Sequence, residues 1–348
     1  MRSADPVPRI ETFASLDALP DDVGPLFAAA GSFFATRAWW EAVLSHAIPP
    51  NARPRLVLIR HLGLPWGLFP MLYDPAGAGF GALTTPYTCL YEPLIAFDRA
   101  ELFAAFARYC RSFPTTRLDA LDPSAATQFA AGAKRAGLFA ARFDHFGNWY
   151  EDVSGLDWDG WLARRPGALR ETIRRRTRRA EQIPAVRFRL FDQQNDLAGG
   201  IDAFETVYAR SWKDPEPYPA FNPAQIRAAA SLGVARVGVW WIGETPAAAQ
   251  FWIVEQGRAT VLKLAHDESF KEHSPGTVLT AWMIRHMIEQ AHVSELDFGR
   301  GDDPYKRDWV GFSRQRMGVL LINPRHPLGL LALARHAVGR VTARLRNG

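Results

Sequence analysis

The chain has 348 residues, of which 48% are hydrophobic and 12% aromatic, and its formal net charge at pH 7 is +5. A chain of this length can bury a large core and is long enough for two domains. It has no apolar run near the roughly 18–20 uncharged residues that cross a bilayer, and Met1–Glu11 lacks a signal-peptide pattern. The composition therefore favours a globular cytoplasmic protein over a membrane-spanning or secreted one.

The cysteine pattern indicates neither a metal site nor a disulfide framework. Cys89 and Cys110 are the two cysteines, and neither has CxxC or Cys/His spacing. We therefore expect no metal and two inert thiols. The adjacent pairs Trp39-Trp40 and Trp240-Trp241 are expected in the core rather than in a cleft.

The first half of the chain has the pattern of a hairpin, a helix and a strand. Arg55–Arg60 and Leu64–Tyr73 are extended apolar runs joined by a turn at Gly63, which predicts a β-hairpin. Asp98 is the predicted N-cap of a helix that runs to Phe113-Pro114. The segment Thr116–Asp122 then predicts a strand that leads into a loop.

The second half repeats this order. Three apolar runs, Val237–Ile242, Ala247–Glu255 and Ala259–His266, predict a β-meander. A helix is predicted to open at Ser274-Pro275, and a strand follows at Glu295–Gly299.

Two landmarks suggest that the halves are a duplication. Gly63 and Gly243 lie 180 residues apart, and Leu118-Asp119 and Leu296-Asp297 lie 178 residues apart. We therefore predict a tandem duplicated α/β fold with mixed sheets flanked by helices. The expected parts are an N-terminal half at 1–149, a C-terminal half at 150–325, and a basic amphipathic C-terminal helix within 326–348.

An arginine-rich helix is predicted between the halves, from about Gly167 to Gln182. The segment Arg164–Arg179 has eight arginines and one acid, Glu171. Helical spacing places Arg174 over Arg178 and Arg175 over Arg179, and like charges at this spacing repel. An anionic partner would relieve that cost: CoA phosphates, a lipid-linked sugar diphosphate, an anionic membrane face or tRNA. A solvated helix is the alternative.

The segment that leads into the second-half helix has features of a phosphate cradle. Ser274 can cap the helix, and Pro275 suits its first position. Gly276 lets a ligand approach the outward-facing backbone N–H groups of the first turn, which Thr277 continues. The matching helix of the first half begins with Asp98 and Glu101, whose charge would repel phosphate. We therefore expect any phosphorylated donor in the second half, with the first half as a scaffold or acceptor-side domain.

Several motifs in order carry a family resemblance. Lys263-Leu264-Ala265-His266-Asp267, Ser274-Pro275-Gly276 and the run from Leu296 to Lys306 resemble the acetyltransferase-like proteins grouped with FemAB-type proteins in the GNAT superfamily. The resemblance covers roughly Gly167 to Gly318. Proteins of this family often serve exopolysaccharide or cell-envelope synthesis. The resemblance implies GNAT-like halves and a CoA thioester whose pyrophosphate lies near Ser274. The loop before Gly276 is poorer in glycine than the usual GNAT loop.

The chemistry that fits this resemblance is direct attack of an amine or hydroxyl on the thioester. The chain has no GxSxG elbow, so nucleophilic catalysis has little support. Asp302 is the first candidate for the base, Asp297 is the second, and Lys263 is a further catalytic candidate because it interrupts an apolar strand. His266 and His273 are weaker candidates for the base.

Binding roles are predicted for a wider set. The donor is expected to contact Ser274, Pro275, Gly276, Thr277 and Lys306. The acceptor is expected to contact Trp212, Tyr305, Arg175 and Arg179.

Three functions are compatible with the sequence. The first is an N- or O-acyltransferase that uses acetyl-CoA or another acyl-CoA on a small or lipid-linked sugar precursor of the envelope or of exopolysaccharide. The second is a FemAB-like ligase that uses aminoacyl-tRNA, the one reading in which nucleic acid is a partner. The third is a non-catalytic GNAT-like binding protein. The C-terminal basic helix allows peripheral contact with the inner membrane face, and domain packing explains it equally well.

Overall fold

The structure is a computed structural model that describes residues 7–75, 79–97, 99–192 and 196–346, without the side chains of 338–346. The chain divides into two compact units. Unit 1 comprises the described parts of Met1–Leu44, Ile48–Phe146 and Gln315–Gly348. Unit 2 comprises those of Ser45–Ala47 and Gly147–Arg314.

Within the described residues up to Asp152 there are seven strands and four helices, beside short 3-10 turns at Asp21–Val23 and Phe33–Ala35. In chain order these are β1 (Arg9–Phe13), α1 (Gly24–Ala28), α2 (Arg37–His46), β2 (Arg53–His61), β3 (Leu64–Asp74), β4 (Gly79–Ala82), β5 (Leu94–Ile95), α3 (Ala100–Cys110), β6 (Thr115–Leu121), α4 (Pro123–Arg135) and β7 (Phe139–Asp152).

The described residues after Asp152 form six strands and seven helices, beside a 3-10 turn at Glu268–His273. These are α5 (Trp158–Ala163), α6 (Gly167–Glu181), β8 (Val186–Phe191), α7 (Leu197–Ala209), α8 (Phe221–Ser231), β9 (Ala235–Ile242), β10 (Thr245–Glu255), β11 (Arg258–His266), α9 (Pro275–Glu289), β12 (Glu295–Asp297), α10 (Lys306–Trp309), β13 (Phe312–Ile322) and α11 (Pro327–Arg346).

Unit 1 contains a mixed sheet with the strand order β1-β2-β3-β4-β6-β13. Its strands are antiparallel except for the pair β4 and β6, where Gly81 lies opposite Arg117. Helices α3 and α4 cover a core in which the Phe69 and Phe106 rings stack at 4.3 Å. Gly132 allows the two helices to approach closely, because a Cβ there would lie 2.6 Å from the Phe103 backbone.

Unit 2 has a mixed sheet of the same design, in the order β8-β9-β10-β11-β12-β7. Here β11 and β12 are the parallel pair, and β12 also pairs antiparallel with β7. Helix α9 packs on this sheet with Trp240, Trp252 and Met283 in the core. The predicted core position of Trp39, Trp40, Trp240 and Trp241 is confirmed, since all four are buried.

The two units share an order of elements, which confirms the predicted tandem α/β fold. In each, a meander is followed by a helix and by a strand parallel to the meander's last strand: β4, α3 and β6 in unit 1, and β11, α9 and β12 in unit 2. Gly63 and Gly243 both form two-residue hairpin turns, with φ of 81° and 59°.

The remaining sequence expectations have separate outcomes. The arginine-rich helix is α6 and the C-terminal helix is α11. Asp98, the predicted cap of α3, lies outside the described residues. Cys89 and Cys110 form no disulfide in the described part of the chain, and Cys110 is buried. Among the described helices, none combines the length and the apolar character needed to cross a bilayer.

Candidate functional site

Strands β11 and β12 separate beyond a short stretch of parallel pairing. The pairing joins Arg258–Thr260 to Glu295–Asp297, while β11 continues to His266. Within β11 the register to β10 jumps between Val261 and Lys263, so Leu262 is the extra residue of a β-bulge. Bulges redirect side chains and interrupt pairing. The result is a gap in the sheet beside the end of β11.

Helix α9 begins next to this gap and presents free amides. Its first backbone hydrogen bond runs from the Val278 N–H to the Ser274 carbonyl at 3.1 Å, so the Gly276 and Thr277 amides precede the intrahelical ladder. Pro275 occupies the first turn and has no N–H. The start of α9 therefore has the geometry that binds anions at helix N-termini.

The expected side-chain cap at Ser274 is wrong. Ser274 adopts the left-handed conformation, with φ of 53° and ψ of 51°, and its side chain makes no cap hydrogen bond. N-cap residues normally have extended dihedrals that turn the hydroxyl toward the third amide of the helix. Instead, the Ser274 N–H donates to the Lys271 carbonyl at 3.0 Å, which closes the 3-10 turn before α9.

A cavity of about 360 Å³ opens at this helix start. We call it the α9 cavity. Its lining residues include six that the sequence predicts for binding, and they are Trp212, Ser274, Pro275, Gly276, Thr277 and Tyr305. The others are Leu264, His266, Lys271, Thr280 and Trp309.

One wall of the α9 cavity is aromatic. The Trp212 ring is 51% exposed and lies 4.3 Å from the His266 ring, centroid to centroid. Burial lowers the pKa of His266, although Glu268 at 3.3 Å opposes this effect. The imidazole is therefore neutral at neutral pH. A Cβ at Gly276 would lie 3.3 Å from its Nδ1, so this glycine leaves room for a ligand beside the imidazole.

Tyr305 is another lining residue of the α9 cavity. Burial, and after it the charge of Asp303, raises the pKa of Tyr305 to about 12. Its phenol therefore remains protonated throughout the physiological range and can donate a proton.

Lys263 is part of a second polar group, which we call the Lys263 cluster: Glu205, Tyr208, Lys213, Glu216 and Lys263. Strand alternation places Lys263 on the face of β11 opposite Leu264 and His266. Glu216 accepts hydrogen bonds from both Lys263 and Tyr208. The loop after α7 thus brings Glu216 to the sheet.

Two members of the Lys263 cluster have shifted pKa values. Burial raises the pKa of Glu205, and the nearby charge of Glu216 adds to this rise. Burial lowers the pKa of Lys213, and the charge of Lys263 lowers it further. Such shifts are frequent at functional sites.

Asp302 and Lys306, predicted for catalysis and donor binding, lie in the loop and helix after β12. Asp302 is exposed and accepts a hydrogen bond from the Trp149 indole at 2.6 Å. The Lys306 ammonium donates to the Arg300 and Gly301 carbonyls at 2.7 and 3.2 Å and pairs with Asp303. Neither residue is among those that line the α9 cavity.

Asp297, the other predicted base, is buried in a hydrogen-bonded network. One carboxylate oxygen accepts from Asn148 and from the Gly299 N–H, both at 2.7 Å, and the other accepts from Arg314 at 2.5 Å. Burial disfavours charge on Arg314, but Asp297 and Glu295 outweigh it and raise the pKa of the guanidinium. The network anchors β12 to β7 and does not bring Asp297 to the α9 cavity.

A buried ion pair holds the Trp309 wall in place. Arg165 and Glu151 are 5% and 2% exposed, and Arg165 donates to both Glu151 oxygens at 2.5 Å. The same guanidinium donates to the Trp309 carbonyl at 2.5 Å, and Glu151 accepts from the Gly311 N–H at 3.0 Å. Arg165 therefore has a structural role, although it belongs to the arginine-rich segment Arg164–Arg179.

Arg175 and Arg179, the predicted acceptor contacts, are exposed on α6 and line neither the α9 cavity nor the groove beside this helix. Four residues near the site were not predicted from the sequence. Lys271 and Trp309 lie in the wall of the α9 cavity, and Lys213 and Glu216 lie in the Lys263 cluster. For Lys213, its neighbour Trp212 was the one sequence feature that could have indicated a role in binding. Lys271, Trp309 and Glu216 reach the site through tertiary contacts that no local sequence pattern reveals.

Comparison with known proteins agrees with this geometry. A family model described as an acetyltransferase (GNAT) domain matches residues 167–307, which include the whole α9 cavity lining except Trp309. No curated protein matches the sequence significantly. In the described residues, no group of three or more His, Cys, Asp or Glu side chains is arranged to hold a metal.

Three solved structures share the fold at low sequence identity. FemX superposes with a TM-score of 0.58 at 10% identity, over 92% of this chain and 99% of FemX. The C-terminal domain of a putative lysylphosphatidylglycerol synthetase from Agrobacterium fabrum has a TM-score of 0.51 at 15% identity, covering 84% and 87%. L-PGS from Bacillus licheniformis has a TM-score of 0.50 at 11% identity, covering 92% and 97%.

Residues 167–307 of this chain therefore match the acetyltransferase (GNAT) domain family, and the chain shares its fold with FemX.

Proposed function

We propose that unit 2 is an acyltransferase that moves an acetyl or other acyl group from acyl-CoA to an amine or hydroxyl. The observation that carries this proposal is the α9 cavity, where free amides at a helix start meet a gap in the sheet. The family match at residues 167–307 supports the same reaction class.

The residues of the α9 cavity suit a CoA thioester. The Gly276 and Thr277 amides and the Lys271 ammonium would hold the pyrophosphate, because the helix dipole and a cation both favour an anion there. Leu264 and Trp309 offer apolar contact for the pantetheine arm. The thioester would then lie at the gap beyond Thr260.

The transfer that we propose requires no covalent enzyme intermediate. The acceptor nitrogen or oxygen attacks the thioester carbon, the C–S bond breaks, and the leaving sulfur takes a proton from Tyr305. The acceptor approaches from the Lys263 cluster, where the carboxylate of Glu205 or Glu216 takes its proton. The net result is an amide or ester and a free thiol.

The acceptor that we propose is a sugar precursor of the envelope or of exopolysaccharide. Support for this class comes from the sequence resemblance, and the polar Lys263 cluster suits a substrate rich in hydroxyl groups. The Asp302 and Lys306 loop lies next to Tyr305 and contributes by shaping this side of the site.

A second candidate is aminoacyl transfer from tRNA. It is favoured by the fold similarity to FemX and to lysylphosphatidylglycerol synthetases, and by the exposed arginines of α6. An aminoacyl ester and a thioester both present an electrophilic carbonyl to the acceptor. With aminoacyl-tRNA the C–O bond breaks, and the leaving ribose oxygen of the tRNA takes the proton in place of sulfur.

Calorimetric titration of the full chain with CoA and with aminoacyl-tRNA separates these candidates. The primary proposal expects CoA to bind and acetyl-CoA to release free thiol when an acceptor amine is present. Tight tRNA binding with no affinity for CoA would replace it with the second candidate. CoA binding without thiol release across a panel of amino sugars and alcohols would indicate a non-catalytic binding protein instead.

A further inference from the structure

A groove of about 540 Å³ runs between α6 and α9 in unit 2. We call it the α6–α9 groove. Most of its described lining is apolar: Trp158, Leu162, Ile173, Ala180, Phe188, Val278, Ala281 and Trp282. It shares no lining residue with the α9 cavity, because the two lie against different sides of α9. Its volume is within the range typical of small-molecule sites.

The rim of this groove is basic. Among the described residues that line it, three are arginines, Arg174, Arg178 and Arg285, and one is an acid, Glu181. Arg285 is paired with Glu289 at 2.9 Å. Arg174 and Arg178 have no ion-pair or hydrogen-bond partner among the side chains that the structure describes, and they lie one helical turn apart.

The structure separates the two arginine rows of α6. All four arginines are exposed, but only Arg174 and Arg178 line the groove, and Arg175 and Arg179 lie outside it. Other arginines of the cluster have structural partners, since Arg165 is paired with Glu151 and Arg176 donates to the Glu272 carbonyl at 2.9 Å. The basic charge available to a ligand in the groove is therefore the pair Arg174 and Arg178.

We propose that the α6–α9 groove binds the phosphate headgroup of a lipid, with one hydrocarbon chain along the apolar floor and the phosphate between Arg174 and Arg178. Two guanidinium groups four residues apart repel each other, and a phosphate relieves this repulsion with charge-assisted hydrogen bonds. The apolar floor gains from a hydrocarbon chain, which removes it from water.

This chemistry favours a lipid phosphate over other anions. A free phosphate would leave the apolar floor exposed to water. A nucleic acid would engage the exposed row at Arg175 and Arg179 at least as strongly, because its phosphates bind mainly through charge. The inference is independent of the acyl donor, so a failure of the proposed acyl transfer would not affect it.

The test is a titration of the full chain with dodecyl phosphate below its micelle concentration, followed by calorimetry and tryptophan fluorescence. The variant Arg174→Gln/Arg178→Gln should weaken binding at least tenfold. Its matched control is Arg175→Gln/Arg179→Gln, which removes the same charge from the same helix at the same spacing. The control should stay within twofold of the unmodified protein.

A second variant tests the apolar floor without altering charge. Thr177 lines the groove and is half-buried, so Thr177→Phe should fill it and weaken dodecyl phosphate binding at least tenfold while leaving the fold intact. Unchanged binding by Thr177→Phe would overturn the proposal, and so would equal losses from the two arginine pairs. Equal affinity for inorganic phosphate and for dodecyl phosphate would also overturn it.

Discussion

Tyr305 retains its proton to unusually high pH because burial and Asp303 raise its pKa to about 12. We expect Tyr305→Phe to lower kcat about 100-fold with little change in the KM for acyl-CoA, since general acids contribute on that scale in the transition state. Steady-state kinetics with thiol detection measures the effect.

A tyrosine in the core of unit 1 provides the control for this measurement. Tyr73 packs against the unit 1 core, so Tyr73→Phe should leave kcat unchanged. A Tyr305→Phe enzyme with full kcat, or one whose loss is entirely in KM, would remove the proton-donor role.

Glu205 has a raised pKa in the folded state, which makes stability depend on pH. Such a group contributes stability that is fully present below its unfolded pKa, about 4.3 for Glu, and is lost as pH rises through the folded value. Above that window the buried charge is a net cost. Glu205→Gln should therefore raise Tm at pH 7 to 8, and the gain should vanish at acid pH.

Thermal unfolding across this pH range tests the sign directly. Glu244 is 91% exposed, so Glu244→Gln is the control that should show no such trend. A lower Tm for Glu205→Gln at pH 8 would show that the charged form is favoured in the folded protein.

Ser274 has a left-handed backbone without the benefit of a side-chain cap. An L-residue in this region carries a strain of about 1–2 kcal/mol, which glycine avoids at some entropic cost. Ser274→Gly should therefore stabilise the protein by about 1 kcal/mol. Ser274→Ala should change stability by less than about 0.5 kcal/mol, whereas loss of a working cap costs about 1 kcal/mol. Chemical denaturation measures both, and a clear loss in the alanine variant would contradict the observed geometry.

At the scale of elements, the pair of Arg165 and Glu151 links α5 and β7 to the Trp309 wall of the cavity. Breaking a buried pair leaves an uncompensated charge and costs roughly 3–5 kcal/mol. Glu151→Gln should reduce the free energy of unfolding by about 3 kcal/mol and should weaken CoA binding, because Trp309 loses its support.

The exposed pair of Arg187 and Glu244 is the comparison for this effect. Its members are 51% and 91% exposed, and such pairs contribute little. Glu244→Gln should change unfolding by less than about 0.5 kcal/mol. Equal losses in the two variants would show that Arg165 and Glu151 do not support the cavity wall.

Periodic and turn-bounded elements could be predicted from sequence, because local pattern determines them. The hairpin of β2 and β3, the meander of β9 to β11 and helix α9 all lie where alternation and turn glycines predict. Strands β7 and β13 were missed. Their residues mix polar and apolar types, and the side chains of Asn148, Glu151 and Arg314 make hydrogen bonds that local pattern does not reveal.

At the scale of the whole molecule, the duplicated order of elements could be predicted and the full site could not. The sequence identified the start of α9, since a Ser-Pro-Gly segment after a strand has a local physical meaning. It did not identify Glu216 as the ion-pair partner of Lys263 or Lys213 as a nearby like charge. Both positions depend on how the loop after α7 folds back. Asp297 was predicted as a candidate base, whereas tertiary folding buries it and gives it three hydrogen-bond donors.

The claim that the start of α9 binds the phosphates of CoA is tested by the CoA affinity of Gly276→Asp, measured by calorimetry. An acid in the first turn of α9 is compatible with the helix dipole, so the fold should persist while the carboxylate repels phosphate. Gly24→Asp is the matched control, since Gly24 opens α1 and a Cβ there meets no atom within 4 Å. We expect at least a 100-fold loss of CoA affinity for Gly276→Asp and less than a twofold change for Gly24→Asp. Unchanged CoA affinity in a folded Gly276→Asp protein would contradict this claim.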